Sequence, residues 1–328
     1  MLVLEVGPRA ESRLQVFYHD YCHTRRDRYR HQLFYSFPLT APGGWVKYVA
    51  VGAFPDITER KVKERARARV LSVKGSSEAA LWTARRLRAI GYEVEGPVEV
   101  EVSVKAVEEA VRSALDTCDL VIVTGGVEPN SAPAFEGVAA ALGRALVENE
   151  EAKQHVEEYY LLEATDGAAS ELFPLKRARA LTLLPEGSTV FHNPRGPAPG
   201  ILLEEGGRYL ICVPGSLAEA GAIFEEEADP YVRSVIGAYF STTVHVMTKT
   251  WEEDAVASVV EAVSEEAPWV FAQLKRTVRS KEGWGITVTV FAKSPDELSE
   301  KLVKAVEIVE GVLEREGIGF DKKDLSGL

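Results

Sequence analysis

Between Asp119 and Glu136 the chain reads DLVIVTGGVEPNSAPAFE, and no other stretch restricts the fold as tightly. Residues 120–123 are apolar without alternation. That pattern suits a parallel strand buried on both faces, because each face then receives an apolar side chain. The run stops at Thr124-Gly125-Gly126, where missing side chains let the backbone turn sharply and approach another group closely. Residues 134–142 carry helical apolar spacing and end at Gly143. Strand, glycine turn and helix put this loop at the carboxyl edge of a sheet, where open α/β folds hold ligands.

Composition narrows the partners more than the chemistry. A length of 328 residues suggests roughly two domains. Fifty acidic against 38 basic residues leave a net charge of -12, which argues against bulk electrostatic binding of nucleic acid. Only a local basic patch would survive that balance. No apolar run approaches the roughly 20 residues needed to cross a bilayer. Glu5, Arg9, Glu11 and Arg13 interrupt any apolar signal core. A cytoplasmic protein with no membrane partner is therefore expected. Cys22, Cys118 and Cys212 are too scattered for a disulfide framework.

Residues 1–66 read as a mostly β module. Strands are expected over 2–6, 13–18, 33–37 and 45–51, and Asp56 is placed to cap a short helix from Ile57. His19, Cys22, His23 and His31 match no common zinc spacing, so no metal site is expected. The arginines at 13, 25, 26, 28 and 30 are diluted by Asp20 and Asp27, which reads as ordinary ion pairing rather than nucleic-acid contact.

From residue 67 strands and helices alternate. A strand over 69–73 is followed by Lys74-Gly75-Ser76-Ser77 and a helix over 78–90, with Gly91 beyond its end. Extended chain over 92–102 leads to Ser103, a cap for a helix over 104–115. Asn149 caps a helix over 150–162. Residues 180–184 read as a strand or a short connector, and 188–191 lead into the next segment. The segment Asn193-Pro194-Arg195-Gly196-Pro197-Ala198-Pro199-Gly200 is too rich in proline and glycine for a regular element. A hairpin follows across Glu205-Gly206-Gly207. Ser216, with Glu219 three places on, then reads as a helix cap, and a further helix runs from Asp229-Pro230 to about Tyr239. Residues 241–320 give β-α-β-β-α, a small two-layer α+β unit. There Ser294-Pro295-Asp296-Glu297 is a strong helix start. Trp82, Trp251 and Trp269 are expected in cores, with Trp284, between Gly283 and Gly285, the candidate for exposure.

Residues 68–240 resemble the molybdopterin-binding-like domain shared by molybdenum-cofactor biosynthesis proteins and the competence/damage-inducible protein A (CinA) family. The resemblance is carried by Thr124-Gly125-Gly126 with Pro129, by Asn193-Pro194 with Gly196 and Ala198-Pro199-Gly200, and by Pro214-Gly215 followed by Glu219 and the acidic run at 224–227. Residues 241–317 look like the small domain that follows in the CinA family, and no amidohydrolase domain follows before Leu328. The resemblance implies a three-layer α/β domain with a ligand pocket at its carboxyl edge. The pocket would be formed by Gly75, Ser76 and Ser77, by Thr124, Gly125, Gly126 and Asn130, by Asn193, Arg195 and Gly196, and by Pro214 and Gly215.

The departures fall on the acidic positions. Family members commonly read Gly-Asp/Asn-Glu where this chain has Gly75-Ser76-Ser77, and Thr-Gly-Gly-x-Gly-Pro-Thr-x-Asp-Asp where it has Glu128, Asn130, Ala132 and Pro133. Paired aspartates can hold a divalent ion against a phosphate, and alanine and proline cannot. Glu128 is the remaining candidate for a catalytic carboxylate, or else a solvated loop residue. Ser76 and Ser77 could bind phosphate or simply cap the next helix. Arg195 is the candidate anion contact. The expectation is a catalytically degenerate protein with a structural, interaction or anion-binding role. The alternative is a divergent Mg2+-dependent pyrophosphatase acting on ADP-ribose-like nucleotides, or a nucleotide or pterin binder. No cofactor is named by the residues themselves. A homo-oligomer is expected, because Tyr18, Phe34, Tyr35 and Phe37 give the N-terminal module more aromatic ring than it should leave in water.

Overall fold

The computed structural model describes residues 62–163 and 178–321, together with the backbone of four short strands near the N-terminus. These are β1 (Val16–Phe17), β2 (Phe34–Tyr35), β3 (Pro38–Ala41) and β4 (Trp45–Tyr48), and they pair antiparallel as β1–β2 and β3–β4. The Asp56 cap, the histidine and cysteine group, the arginine cluster and the rings of the N-terminal module lie outside the described residues. Contacts divide the chain into two compact units. One comprises Glu64–Leu87 and Tyr92–Val232; the other comprises Met1–Lys63, Arg88–Gly91 and Arg233–Leu328.

The first unit is built on a six-stranded sheet in the order β10-β11-β12-β7-β5-β6. Strands β5 (Arg67–Val73), β6 (Glu93–Val100), β7 (Leu120–Thr124) and β12 (Arg208–Val213) run parallel; β10 (Thr189–Phe191) and β11 (Gly200–Glu205) join antiparallel. As its sequence requires, β7 is central, and all five of its residues are buried. Helices α2 (Val104–Thr117) and α3 (Pro133–Leu142) cover one face, where Val107, Val111, Phe135 and Val138 meet Leu71, Val121, Val123 and Cys212. On the other face Phe191 and Tyr209 pack on Tyr231 of α6 (Asp229–Ile236). There Trp82 of α1 (Ser77–Ile90) packs edge-on to Phe224, which follows α5 (Leu217–Ile223). This is the three-layer α/β arrangement that a strand apolar on both faces demands.

Local signals act as their chemistry dictates in most places. The Ser103 side chain accepts from the Ala106 N–H at 3.2 Å, and Asn149 Oδ1 accepts from Glu151 and Ala152 at 3.0 Å, starting α4 (Glu150–Glu163). Three readings are corrected. Residues 179–181 form a 3₁₀ turn, and β9 (Leu183–Pro185) pairs with β8 (Leu146–Glu148), a strand too short and exposed to be legible in the sequence. Ser216 occupies the cap position of α5, but its side chain makes no capping bond there. Finally, α5 continues through a π turn (Phe224–Ala228) into α6, which ends at Ile236, ahead of Gly237 at φ 73°, rather than near Tyr239. Arg86 and Asp229, both buried and 3.1 Å apart, tie α1 to the start of α6.

In the second unit β13 (Phe240–Met247), β15 (Trp284–Ala292) and β14 (Val270–Arg279) form an antiparallel sheet in that order. Helices α7 (Glu253–Glu266) and α8 (Pro295–Arg315) cover one face, through Val256, Val263, Leu302 and Val309 on Val246, Ile286, Val288 and Val290. The α8 start behaves as read: Ser294 Oγ accepts from Glu297 N–H at 3.2 Å, and Glu297 accepts from Lys293 N–H at 2.8 Å. No helix among the described residues is long and apolar enough to cross a membrane.

The α2–α3 contact is the tightest test of this packing. A β-carbon on Gly137 would lie 2.6 Å from Val107 Cβ and 2.8 Å from the Val104 carbonyl oxygen, so the helices touch only because residue 137 has no side chain. Gly137→Ala is expected to destabilise the protein by about 1–3 kcal/mol despite alanine's better helix propensity. The urea midpoint of unfolding measures it.

Candidate functional site at the carboxyl edge of the sheet

The carboxyl ends of β5, β7 and β12 meet around one hydroxyl. Ser76 is 2% exposed, and its Oγ lies 2.6 Å from Val73 O, 2.8 Å from Thr124 O, 3.0 Å from Thr124 Oγ1 and 3.2 Å from Ser72 Oγ. A hydroxyl has one proton, so Ser76 donates to one carbonyl and has the neighbouring hydroxyls for its remaining bonds. Two glycines let the strands come this close. A β-carbon on Gly125 would lie 2.8 Å from Ser76 Cβ, and one on Gly215 would lie 3.1 Å from the same atom. Gly125 adopts φ 78°, and its N–H donates to Val213 O at 2.9 Å. Ser76 is therefore a fastener between strand ends, while Gly75 and Ser77 on either side of it are exposed.

Beyond Gly126 the loop folds on itself. The Glu128 N–H donates to Ser131 O at 2.9 Å and the Ser131 N–H donates to Glu128 O at 3.1 Å, with Pro129 and Asn130 at the tip. Glu128, Asn130 and Ser131 are exposed. The next two residues, Ala132 and Pro133, are buried at the start of α3.

The proline- and glycine-rich loop is pinned from inside. Asn193, 3% exposed, donates through Nδ2 to Ala198 O at 2.8 Å and to Glu219 Oε1 at 3.0 Å, and its Oδ1 accepts from the Arg195 N–H at 2.9 Å. Gly196 lies so close to that carboxylate that a β-carbon would come within 1.9 Å of Glu219 Oε1. Glu219 thus spends its carboxylate on this loop. His155 of α4 closes the other side, buried, with Nε2 3.3 Å from Gly196 O. Its ring meets His192 edge-on at 5.5 Å, and His192 Nε2 lies 3.6 Å from Glu151 Oε1. Burial pushes the His155 imidazole below its ordinary range, His192 adds to the shift, and the Gly196 carbonyl and Glu158 oppose it. Arg195 itself points its charge into exposed surroundings, Pro214 is buried, and Gly215 is half-buried.

The expected site residues therefore separate into two groups. Ser76, Thr124, Gly125 and Gly215 meet at the strand ends, and Asn193 and Gly196 separately meet around Glu219, each set engaged with the protein itself. Ser77, Glu128, Asn130 and Arg195 stand on the exposed rim. Glu219 and His155 were not among the expected site residues. Glu219 carried a helix-start signal and a place in the family motif after Pro214-Gly215, and a single histidine within a charged helix carries no signal. Among the described residues, no three His, Cys, Asp or Glu side chains converge as a metal would require.

A three-layer sheet with its loops gathered in this way defines a class of α/β binding domain. Residues 69–234 match the family model for a probable molybdopterin binding domain. A protein of Pyrobaculum calidifontis is 32% identical over 219 residues, covering 66% of this chain and 80% of the relative. A putative competence-damage inducible protein of Bacillus subtilis is 32% identical over 252 residues, which is 75% of this chain but 57% of that protein's length. Among solved structures, the protein CinA from Thermoplasma acidophilum is 26% identical with a TM-score of 0.44, covering 51% of this chain and 99% of that one. The chain belongs to the probable molybdopterin binding domain family and is a divergent CinA-like member of it.

Two outcomes follow from this geometry. Ser76→Ala is expected to cost about 1–3 kcal/mol, because buried hydrogen-bonding groups lose their partner, whereas Ser77→Ala should stay within about 0.5 kcal/mol. Chemical denaturation of both variants tests the contrast. For His155 the folded pKa lies below the ordinary value, so its contribution to stability is present above about pH 6.5. That contribution is lost as pH falls through the folded pKa. A His155→Gln variant should show a shallower loss of melting temperature between neutral and mildly acidic pH.

Proposed function

We propose that this protein is a catalytically degenerate CinA-like protein whose molybdopterin-binding-like domain acts as a binding or interaction module rather than as a metal-dependent hydrolase. The observation that carries this reading is at the positions resembling the family's acidic residues. Ala132 and Pro133 are apolar and buried, and the Ser76 hydroxyl is engaged inside the protein. A divalent ion prefers several oxygen ligands with carboxylates among them. Glu128 is the sole carboxylate on the 124–133 loop, and it stands on an exposed turn, so this donor set does not fit Mg2+.

The ligand we assign to the rim is a phosphate-bearing nucleotide or pterin, held without metal. Arg195 is exposed on a loop whose backbone Asn193, Glu219 and His155 hold in place, which supports it as the anion contact. Hydrolysis and binding should therefore separate. Incubation of the pure protein with ADP-ribose and Mg2+ is expected to release no AMP. A thermal-shift screen of nucleotides and pterins should give a ligand whose effect is unchanged by chelator and reduced in Arg195→Ala. Metal-dependent AMP release, lost in Glu128→Gln and kept in the surface variant Glu314→Gln, would instead establish a divergent pyrophosphatase.

A further inference from the structure

The sheet of the second unit has α7 and α8 on one face. Side chains alternate along each strand, so Val246, Ala272 and Val288 meet those helices while the residues between them point the other way. That helix-free face carries Thr243 on β13, Thr287, Thr289 and Phe291 on β15, and Phe271 and Gln273 on β14. Open to water, it would expose much of the Phe271 ring, because β14 is an outer strand with a cross-strand neighbour on one side only. Instead Phe271 is 2% exposed, and Thr287, Thr289 and Phe291 are buried with it. Thr243, on the opposite outer strand, is exposed. The face is therefore covered, over β14 and β15 and not at Thr243.

One end of that cover is a turn of the same unit. The Arg233 guanidinium lies 5.4 Å from the centre of the Phe291 ring and donates to the carbonyls of Ala238 at 2.7 Å and Tyr239 at 2.6 Å. The N-terminal part of the chain arrives at this turn. Lys63 N–H donates to Val235 O at 2.8 Å, and a β-carbon on Gly237 would lie 2.9 Å from Val62 Cγ1. Residues 1–61 are thus tethered at the Phe291 end of the helix-free face, and contacts group Met1–Lys63 with Arg233–Leu328. Their sequence supplies what such a face takes. Phe17, Tyr18, Phe34, Tyr35 and Phe37 are rings, and β1–β4 are extended strands of the kind that packs as a second layer about 10 Å above a sheet. Residues 322–328 carry no ring and leave from the other end, where the Asp321 N–H donates to Met247 O at 2.9 Å.

We propose that residues 1–61 dock on this face of their own chain, covering Phe271, Thr287, Thr289 and Phe291 and closing the second unit as a third layer. The tether favours this occupant over a second copy. A segment fixed at the edge of the face is held there at a high effective concentration, which a free molecule has to match by its own. The rings that argued for self-association then have their place within one chain. While the module stays on it, the face is closed to other partners.

The test places the photoreactive amino acid benzoylphenylalanine at Gln273, half-buried on the same face as Phe271, in the full chain. After irradiation the cross-linked peptides are mapped by mass spectrometry. Links into residues 1–61 are expected at the mass of one chain, with a yield unchanged by dilution. Lys275, the next position on that face, takes the same probe should the first variant misfold. A probe at exposed Glu314 on α8 should lose those links. Links at the mass of two chains, links into residues 322–328, or no links from either position on β14 overturn the proposal. An equal yield of links into residues 1–61 from Glu314 overturns it too.

Discussion

Complete burial of β7 is the constraint on which the first unit depends. A strand with apolar side chains on both faces has to be covered twice, which fixes helices above and below the sheet. β5, β6 and β7 are joined through helices and lie parallel, while β12 is entered through the hairpin from β11 and still runs parallel to β7. Parallel strands end together, so their loops gather at one edge. The edge that would hold a ligand is thus a by-product of burying five residues.

What this chain does with that edge departs from what the family pattern implies. Ser76, Asn193 and Glu219 are polar groups of the kind that contact ligands, yet here their hydrogen bonds are directed at the protein. The hydroxyl joins strand ends, the amide closes its own loop, and the carboxylate receives that amide. A buried polar group with every partner inside the fold stabilises and orders the loops, and it has little left to offer a substrate. Of the expected site residues, Arg195 on its braced loop and Glu128 on an exposed turn remain on the surface. At this contact burial holds the His155 imidazole below its ordinary pKa range, against the opposing pull of the Gly196 carbonyl.

In the second unit an orderly two-layer core coexists with one exception at its end. Valines from both helices and all three strands fill the interior, and Trp284 belongs to its margin. Trp251 extends that margin outward instead of closing it. Its carbonyl accepts from the Trp284 indole N–H and its ring meets that indole edge-on, which leaves the ring half-bare at the margin.

The sequence by itself determined the elements and their layering. Four apolar residues at 120–123, caps at Ser103, Asn149 and Ser294, and glycine turns at 125–126 and 206–207 act locally, through backbone conformation and periodicity, and local signals survive in one dimension. The glycine and proline motifs fall at the carboxyl edge of the sheet for the same reason, since those positions encode backbone shape. Tertiary structure alone decided what the side chains do there. Ser76 and Ser77 are adjacent and chemically identical, and only the approach of Thr124, Gly125 and Gly215 buries one and exposes the other. Glu219 reads as a helix-start residue until Asn193, 26 positions away, donates to it, and His155 has no partner in view until Gly196 is brought across. Trp251 shows the converse, because an aromatic residue is written as core material whether or not the fold has room inside for its ring. Partnership and burial depend on distances between segments far apart in the chain, and those distances exist only after the chain has folded.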